Sequence, residues 1–441
     1  MCPTATSARA TVDSWFLTLT ARPLPRGHRL TPGNRVGGVN TVASRLADTP
    51  AVRDVVLAAA AAARAKVRGE VPELGNAMAH AWIITGPPGS GRSVAALALA
   101  AALQCTDPVD IGCGRCPHCH DVFADAHTDV LRIVPAELSI GIDRMRAVRT
   151  EAAKLPTVSP WRIVIIEDAD RLSDAAADAI LKTVEEPPEH TVIIMCAPSI
   201  DPEDFSPTLR SRCRHLYVPY PSVGHIVDLL VAETGATPED ARLAAVASGR
   251  HIGRARRLVT DPDAQQRRAS ILNLAELIFH HDEAFKASTA FLKTVDKQVK
   301  SLSDEEDAGE LEKLERSLGK GGRGKGTQKA MDGSSGMVKD LEKKQKMRRS
   351  RRNRDFLDLA LVDLAGLYRD ALLLSVGADV QLTHPDFEGL SRDLAAKVSE
   401  AGLVACLDAV TMARGHIGVN VTPTTAIDGM IGRIRLACGV S

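Results

Sequence analysis

The chain reads as an α/β fold joined to an all-α one, and three observations predict this. In the first half, short runs of β-branched residues such as Ile163 to Ile166 alternate with alanine- and leucine-rich helical stretches, the pattern of a parallel sheet covered on both faces. A glycine-rich turn from Gly86 to Gly91 links one such run to a helix. From Asp355 onward leucines recur at helical spacing to the C-terminus, which predicts an all-helical region.

Length and charge bound the rest. A chain of 441 residues holds about two to four domains and can bury sizeable cores. Lys plus Arg number 55 and Asp plus Glu number 55, so the protein as a whole has no bulk attraction to nucleic acid or to an anionic membrane; any such attraction is local. The longest apolar runs, Val55 to Ala63 and Val94 to Leu103, are alanine-rich and too short to span a bilayer, and no secretory signal is visible. A cytoplasmic protein is expected, with its nine cysteines not in disulfides.

The first segment, 1–41, is rich in Arg, Pro, Gly and Thr and reads as disordered or as an upstream extension. Ala81 to Val94, AWIITGPPGSGRSV, follows the pattern G-x-x-x-x-G-[K/R]-S between a strand and a helix. In such a phosphate loop Gly86, Gly89 and Gly91 let backbone N–H groups converge on a phosphate, and the following helix adds its positive end. Ser93 stands where a hydroxyl would reach Mg²⁺, but Arg92 replaces the usual lysine. The larger planar guanidinium is a poor substitute for a compact ammonium. Binding of ATP with Mg²⁺, with or without turnover, remains open on the loop alone.

Four cysteines follow within fifteen residues. Cys105, Cys113, Cys116 and Cys119, spaced C-x7-C-x2-C-x2-C with Gly112, Gly114 and Pro117 between them, form a knuckle suited to tetrahedral Zn²⁺. His118 and His120 are alternative donors nearby. A closed set of four sulfurs leaves no open position for substrate, so the ion is expected to be structural.

Arg162 to Asp170, RIVIIEDAD, predicts a buried strand ending in acids. It occupies the place of a strand whose terminal Asp-Glu would hold the Mg²⁺ shell and polarise the attacking water. Here the order is inverted, Glu167 then Asp168, which changes side-chain reach at both positions. Next come AILKTVEEPP, from Ala179 to Pro188, a second apolar strand, and Pro207 to Arg214, PTLRSRCR.

Taken in this order, strand, phosphate loop, cysteine knuckle, acidic strand, the helix ending in EEPP and Ser211-Arg212-Cys213 resemble the clamp-loader subunits of bacterial DNA polymerase III, which belong to the AAA+ family. The resemblance spans Val42 to Leu258 well and the C-terminal region more loosely. Two kinds of subunit compete. The gamma/tau motor kind has a lysine in the loop, an Asp-Glu acid pair and a sensor threonine. Arg92, Glu167-Asp168 and Ala197-Pro198-Ser199 each depart from that pattern, toward the delta-prime kind, a rigid member that typically does not hydrolyse ATP.

The resemblance implies an AAA+ P-loop parallel-sheet domain over 42–220, carrying the zinc knuckle at 105–119. A small helical lid and connector over 221–295 and a helical collar domain over 355–441 follow from it too. It implies that Arg212 acts in trans on the nucleotide of a neighbouring subunit. Within GRHIGRARR, Gly249 to Arg257, Arg254 would be a sensor arginine reaching a bound nucleotide. The implied partners are gamma/tau and delta subunits in a hetero-pentameric ring, with the sliding clamp and primed DNA reached through the complex, and no membrane. The alternative is an ATP-hydrolysing enzyme, either a gamma/tau-like motor or another AAA+ ATPase, with Ser93, Glu167 and Asp168 binding Mg·ATP and Arg92 in place of the lysine. Between these parts, 296–354 reads as a charged flexible insertion: an acidic patch, then Leu318 to Arg354 with thirteen basic residues against three acidic. Such a segment could touch DNA phosphates non-specifically, but lacks aromatics to stack bases.

Overall fold

The structure, a computed structural model, describes residues 41–71, 77–135, 139–317, 327–419 and 421–440. The expected N-terminal extension over 1–41 therefore lies almost wholly outside the described residues, as do 318–326 of the insertion. Five parallel strands form the sheet: β1 (Ala81–Thr85), β2 (Val130–Ile133), β3 (Arg162–Ile166), β4 (Thr191–Ala197) and β5 (Arg214–Tyr217), in the order β2-β3-β4-β1-β5. β1, β3 and β4 are buried along their whole length, as the apolar runs require.

Alternation assigns the two faces. Trp82, Ile84, Ile163, Ile165, Val192 and Ile194 point to a core shared with α1 (Val42–Arg45), α2 (Pro50–Val67) and α3 (Arg92–Gln104). Ile83, Val164, Ile166, Ile193 and Met195 point to the other core, shared with α5 (Ile142–Ala152) and α6 (Asp174–Glu185). The short helix α4 (Pro117–Phe123) packs on α3 within the first core. Because both faces are covered, only the strand ends and their loops remain to carry chemistry; the phosphate loop and the acids emerge at the C-terminal ends, whereas α7 (Pro207–Arg210) leads into the start of β5 at the other edge.

Three helices, α8 (Val223–Thr234), α9 (Pro238–Ala247) and α10 (Ile252–Thr260), close round a small separate core of Ile226, Leu230, Ala241 and Ala255. Thr237 caps α9, accepting from the Asp240 N–H at 3.1 Å, as Thr-Pro-Glu-Asp predicts. The C-terminal core gathers α11 (Pro262–Leu277), the first half of α12 (Glu283–Ser317), the second half of α13 (Thr327–Ser375), then α14 (Glu388–Lys397), α15 (Glu400–Gly418) and α16 (Pro423–Ala437). No helix among the described residues is long and apolar enough to cross a membrane.

The segment 296–354, expected to be flexible, is over its described residues the distal parts of α12 and α13. Helix α12 runs through position 295 and α13 through position 354 without a break. Its seam is ionic. Arg348 grips Glu310 through both Nη atoms at 2.7 and 2.8 Å and also pairs with Asp307; Arg349 reaches Asp307 at 2.7 Å and Asp304 at 3.0 Å; Arg352 reaches Glu306 at 2.5 Å. The glycines, serines and lysines suggest an unpartnered chain, but the acids of one helix neutralise the arginines of the next and draw both into register.

Candidate functional site

The phosphate loop leaves β1 and enters α3. Gly89 and Gly91 adopt left-handed backbone, φ 85° and 94°, and Gly89 is required for a further reason: a Cβ there would lie 2.4 Å from the His251 ring carbon Cγ. His251 caps α10, its Nδ1 accepting from the Arg254 N–H at 3.3 Å, so the lid segment seats its histidine directly on the loop. Burial, then the charges of Arg254 and Arg257 and also Arg92, lower the His251 pKa, which keeps the imidazole neutral against the loop.

The groups expected to hold Mg²⁺ are brought together, and each is engaged by the chain itself. The Ser93 hydroxyl donates to Glu167 Oε2 at 2.6 Å. Glu167 Oε1 accepts from Arg132 Nε at 3.1 Å, and Arg132 Nη2 lies at the same distance. Asp168, in left-handed backbone with φ 47°, accepts through Oδ2 from Arg351 Nη2 at 2.6 Å. Arg92 extends from the loop into this corner, and its Nη1 is buried with no hydrogen-bond partner among the described residues. Asp170 has its pKa raised by burial and by Asp168, against the lowering charges of Arg171 and Arg92.

Arg254 is turned elsewhere. Its Nη2 donates to Asp363 of α13 at 2.5 Å, and the residue of that segment which meets the loop is His251. Arg212, in the turn after α7, lies at the surface beyond the opposite end of α6. Its Nε pairs with Glu185 Oε1 at 2.5 Å, and its Nη1 donates to the Thr208 carbonyl at 2.9 Å and to Ser211 Oγ at 3.1 Å.

The cysteine cluster is compact. One sulfur from each of Cys105, Cys113, Cys116 and Cys119 lies within 4.8 Å of all the others, and Cys105, Cys113 and Cys119 are buried. Backbone N–H groups of Cys116 and Cys119 donate to the Cys113 and Cys116 sulfurs at 3.3 and 3.4 Å. Gly112 takes φ 72°, and a Cβ on it would strike Val42 at 2.6 Å, so the knuckle closes only with glycine there. Arg64 of α2 ties it down by donating to the Cys105 and Asp107 carbonyls at 2.9 and 2.7 Å. A hydrogen bond with Cys119 draws the Cys105 pKa down to about 4 and drives that of Cys119 far upward. The nearby Arg115 is committed to Asp107 at 2.8 Å, so the sulfur charge calls for a cation of its own, and the set fits a metal ion. His118 is turned to His127, 2.9 Å away, and His120 to Asp121; neither histidine joins the cluster.

Sequence reading missed Arg132, Glu185, His251 and Arg351. Only Arg132 left a signal, a lone charge inside the apolar strand VLRI, where an arginine needs a partner. The others depend on contacts between distant segments.

A family profile described as DNA polymerase III, delta subunit, matches residues 74–221. The tau subunit of DNA polymerase III from Bacillus subtilis is 35% identical over 136 residues, 31% of this chain and 24% of that protein. The delta-prime subunit from Escherichia coli is 35% identical over 170 residues, 38% of this chain and 50% of its own length. The Bacillus subtilis delta-prime subunit is 28% identical over 201 residues, 46% of this chain and 60% of that one. The chain thus spans about a quarter of the tau relative and half or somewhat more of these two delta-prime relatives.

Proposed function

We propose that this chain, whose residues 74–221 match the delta-subunit profile and which is similar over part of its length to delta-prime subunits, is a stator of the DNA polymerase III clamp loader. In this reading it joins gamma/tau and delta subunits in a hetero-pentameric ring that loads the sliding clamp onto primed DNA. Its own contribution to ATP hydrolysis is Arg212, supplied in trans to the nucleotide of a neighbouring motor.

One contrast carries the reading. Ser93, Glu167 and Asp168, the groups that would organise Mg²⁺, each hold a charged or short hydrogen bond within the chain, while the Nη2 of Arg212 has no hydrogen-bond partner among the described residues. Hydrolysis in the chain's own loop would first give up bonds worth roughly 1.5–3 kcal/mol each where a charge is involved. Action in trans needs none of them broken. Charge on the γ-phosphoryl oxygens rises in the transition state, and a guanidinium at that point lowers the barrier. The left-handed glycines of the loop support nucleotide binding without turnover, and the buried Nη1 of Arg92, without a hydrogen-bond partner among the described residues, favours Arg92 as the group that meets a phosphate.

Zn²⁺ is the ion that four buried or half-buried sulfurs suit best. Cys105, Cys113, Cys116 and Cys119 would hold it, and its work is structural: it fastens the end of α3 to α4 and to the Val42 segment.

The test is ATP turnover by a reconstituted ring in which only this chain carries Arg212→Ala, beside turnover by this chain alone. The expected result is an inert isolated chain and a ring slowed by about 10³-fold or more, the scale of a lost arginine finger. Turnover by the isolated chain together with a ring indifferent to the mutation would make the protein a motor.

A further inference from the structure

We propose that Glu185 is a positioning residue for Arg212, holding the guanidinium so that one edge faces outward; this rests on the trans-acting role of Arg212 given above. A guanidinium carries five N–H donors in a rigid fork. Arg212 is held inside the chain on two sides: Nε forms an ion pair with the Glu185 carboxylate at 2.5 Å, and Nη1 donates to the Thr208 carbonyl at 2.9 Å and to Ser211 Oγ at 3.1 Å. Both N–H bonds of Nη2 have no partner among the described residues. Two of the three edges are thereby anchored and the third is presented, on a side chain that is 37% exposed.

Glu185 does not owe its place to the helix that carries it. It is the last residue of α6, where the helix dipole is negative at that end and an acid is the disfavoured charge. Glu186 follows it at the C-cap, so two acids crowd an end that would prefer a cation. The Arg212 pair supplies what the helix lacks. Thr208 and Ser211 contribute only short contacts from the same turn as Arg212; among the described residues Glu185 is the one partner from another element, and so the one that fixes the direction of the side chain relative to the sheet. A free arginine must lose its rotamer freedom when it meets a phosphoryl group, whereas an anchored one has already lost it on folding. The effect therefore appears in the chemical step and not in the affinity of the neighbour for ATP.

The experiment uses the reconstituted ring, with this chain as wild type, Glu185→Ala, Glu185→Gln, Arg212→Ala, or Glu185→Ala with Arg212→Ala. Glu185→Ala is expected to lower kcat for ATP by about tenfold with KM changed less than about twofold, the signature of an interaction realised in the transition state. Glu185→Gln, which keeps a carbonyl oxygen of the same reach beside Nε, is expected to restore most of that loss. The double variant should be no slower than Arg212→Ala alone. If Glu185→Ala is fully active while Arg212→Ala is not, or if Glu185→Ala slows the Arg212→Ala ring as much as it slows the wild type, Glu185 has no positioning role and the trans arginine stands. Full activity of the Arg212→Ala ring would overturn the trans reading and this inference together. Should Glu185→Ala impair ring assembly, measured by size exclusion, Glu185→Lys decides: a base facing Arg212 must lower kcat further than Glu185→Gln, and equal rates would overturn the proposal.

Discussion

Arg351 donates through Nη2 to Oδ2 of Asp168 over 2.6 Å, joining positions 183 residues apart. Asp168 stands second in the inverted acid pair, at the position where an Asp-Glu strand end would carry the acid that polarises the attacking water, and Arg351 comes from the middle of α13. Arg351 is 15% exposed and Asp168 32%, so water weakens the pair only in part, and Arg171 Nε stands by at 3.8 Å.

Replacing Arg351 should therefore loosen the acid corner rather than the fold. Arg351→Ala is expected to tighten binding of Mg·ADP about three- to tenfold, the loss of roughly 1 kcal/mol of competition. Calorimetric titration of the full chain reads it. Equal affinities with and without Arg351 would show that the pair does not compete with the ion.

His251 tests the loop from the other side. His251→Ala removes the ring seated on Gly89 and should increase nucleotide affinity, measured by the same titration. Gly89→Ala should do the reverse and cost about 1–3 kcal/mol of stability in urea unfolding, because a non-glycine residue at φ 85° is strained and its Cβ meets His251 at 2.4 Å.

The knuckle predicts a stoichiometric metal. Purified protein should carry about one Zn²⁺ per chain, and Cys113→Ser should abolish it. A chelator strong enough to remove the ion should lower Tm by several degrees, since folding and binding are linked. Metal content by plasma emission and Tm by calorimetry check the two halves separately.

His384 gives the fold an acid-sensitive joint. It is fully buried; its Nδ1 lies 2.9 Å from Arg268 Nη2, which donates to it, and its Nε2 donates to the Asp363 carbonyl at 2.9 Å. Burial first, then the Arg268 charge, lowers its pKa from 6.5 to about 4. The unfolded chain thus binds a proton that the folded chain refuses between about pH 6.5 and 4. Stability is full above that window and falls as pH drops through it, by an amount on the order of 3 kcal/mol for this group. His384→Gln should be less stable at pH 7.5 and show a shallower loss across the same interval, measured by urea unfolding at stepped pH.

Features carried by contiguous residues were legible in the sequence. Ala81–Val94, the four cysteines, the strand ending at Glu167 and Ser211-Arg212-Cys213 each declare themselves because a phosphate loop, a knuckle or a strand end is built from neighbours along the chain. The continuous apolar runs that mark strands buried on both faces were legible for the same reason. What Ser93, Asp168 and Arg254 touch was not. Arg254 carries the charge a sensor would have, but Asp363, 109 positions later, decides where it points. The helical course of 296–354 was hidden too, because Arg348 and Glu310 look like two charge blocks until α12 and α13 lie side by side.

Helix α13 makes salt bridges to three parts of the molecule within four turns. Arg351 holds the end of the sheet at Asp168, Asp358 holds Arg414 of α15 at 2.7 Å, and Asp363 holds Arg254 of α10 at 2.5 Å. With 49 residues in one uninterrupted helix, a rod of about 70 Å, the three share a single axle. Their angular alignment is set by one covalent element and not by an accumulation of loops, so a torque applied to the charged far end of that rod reaches all three at once.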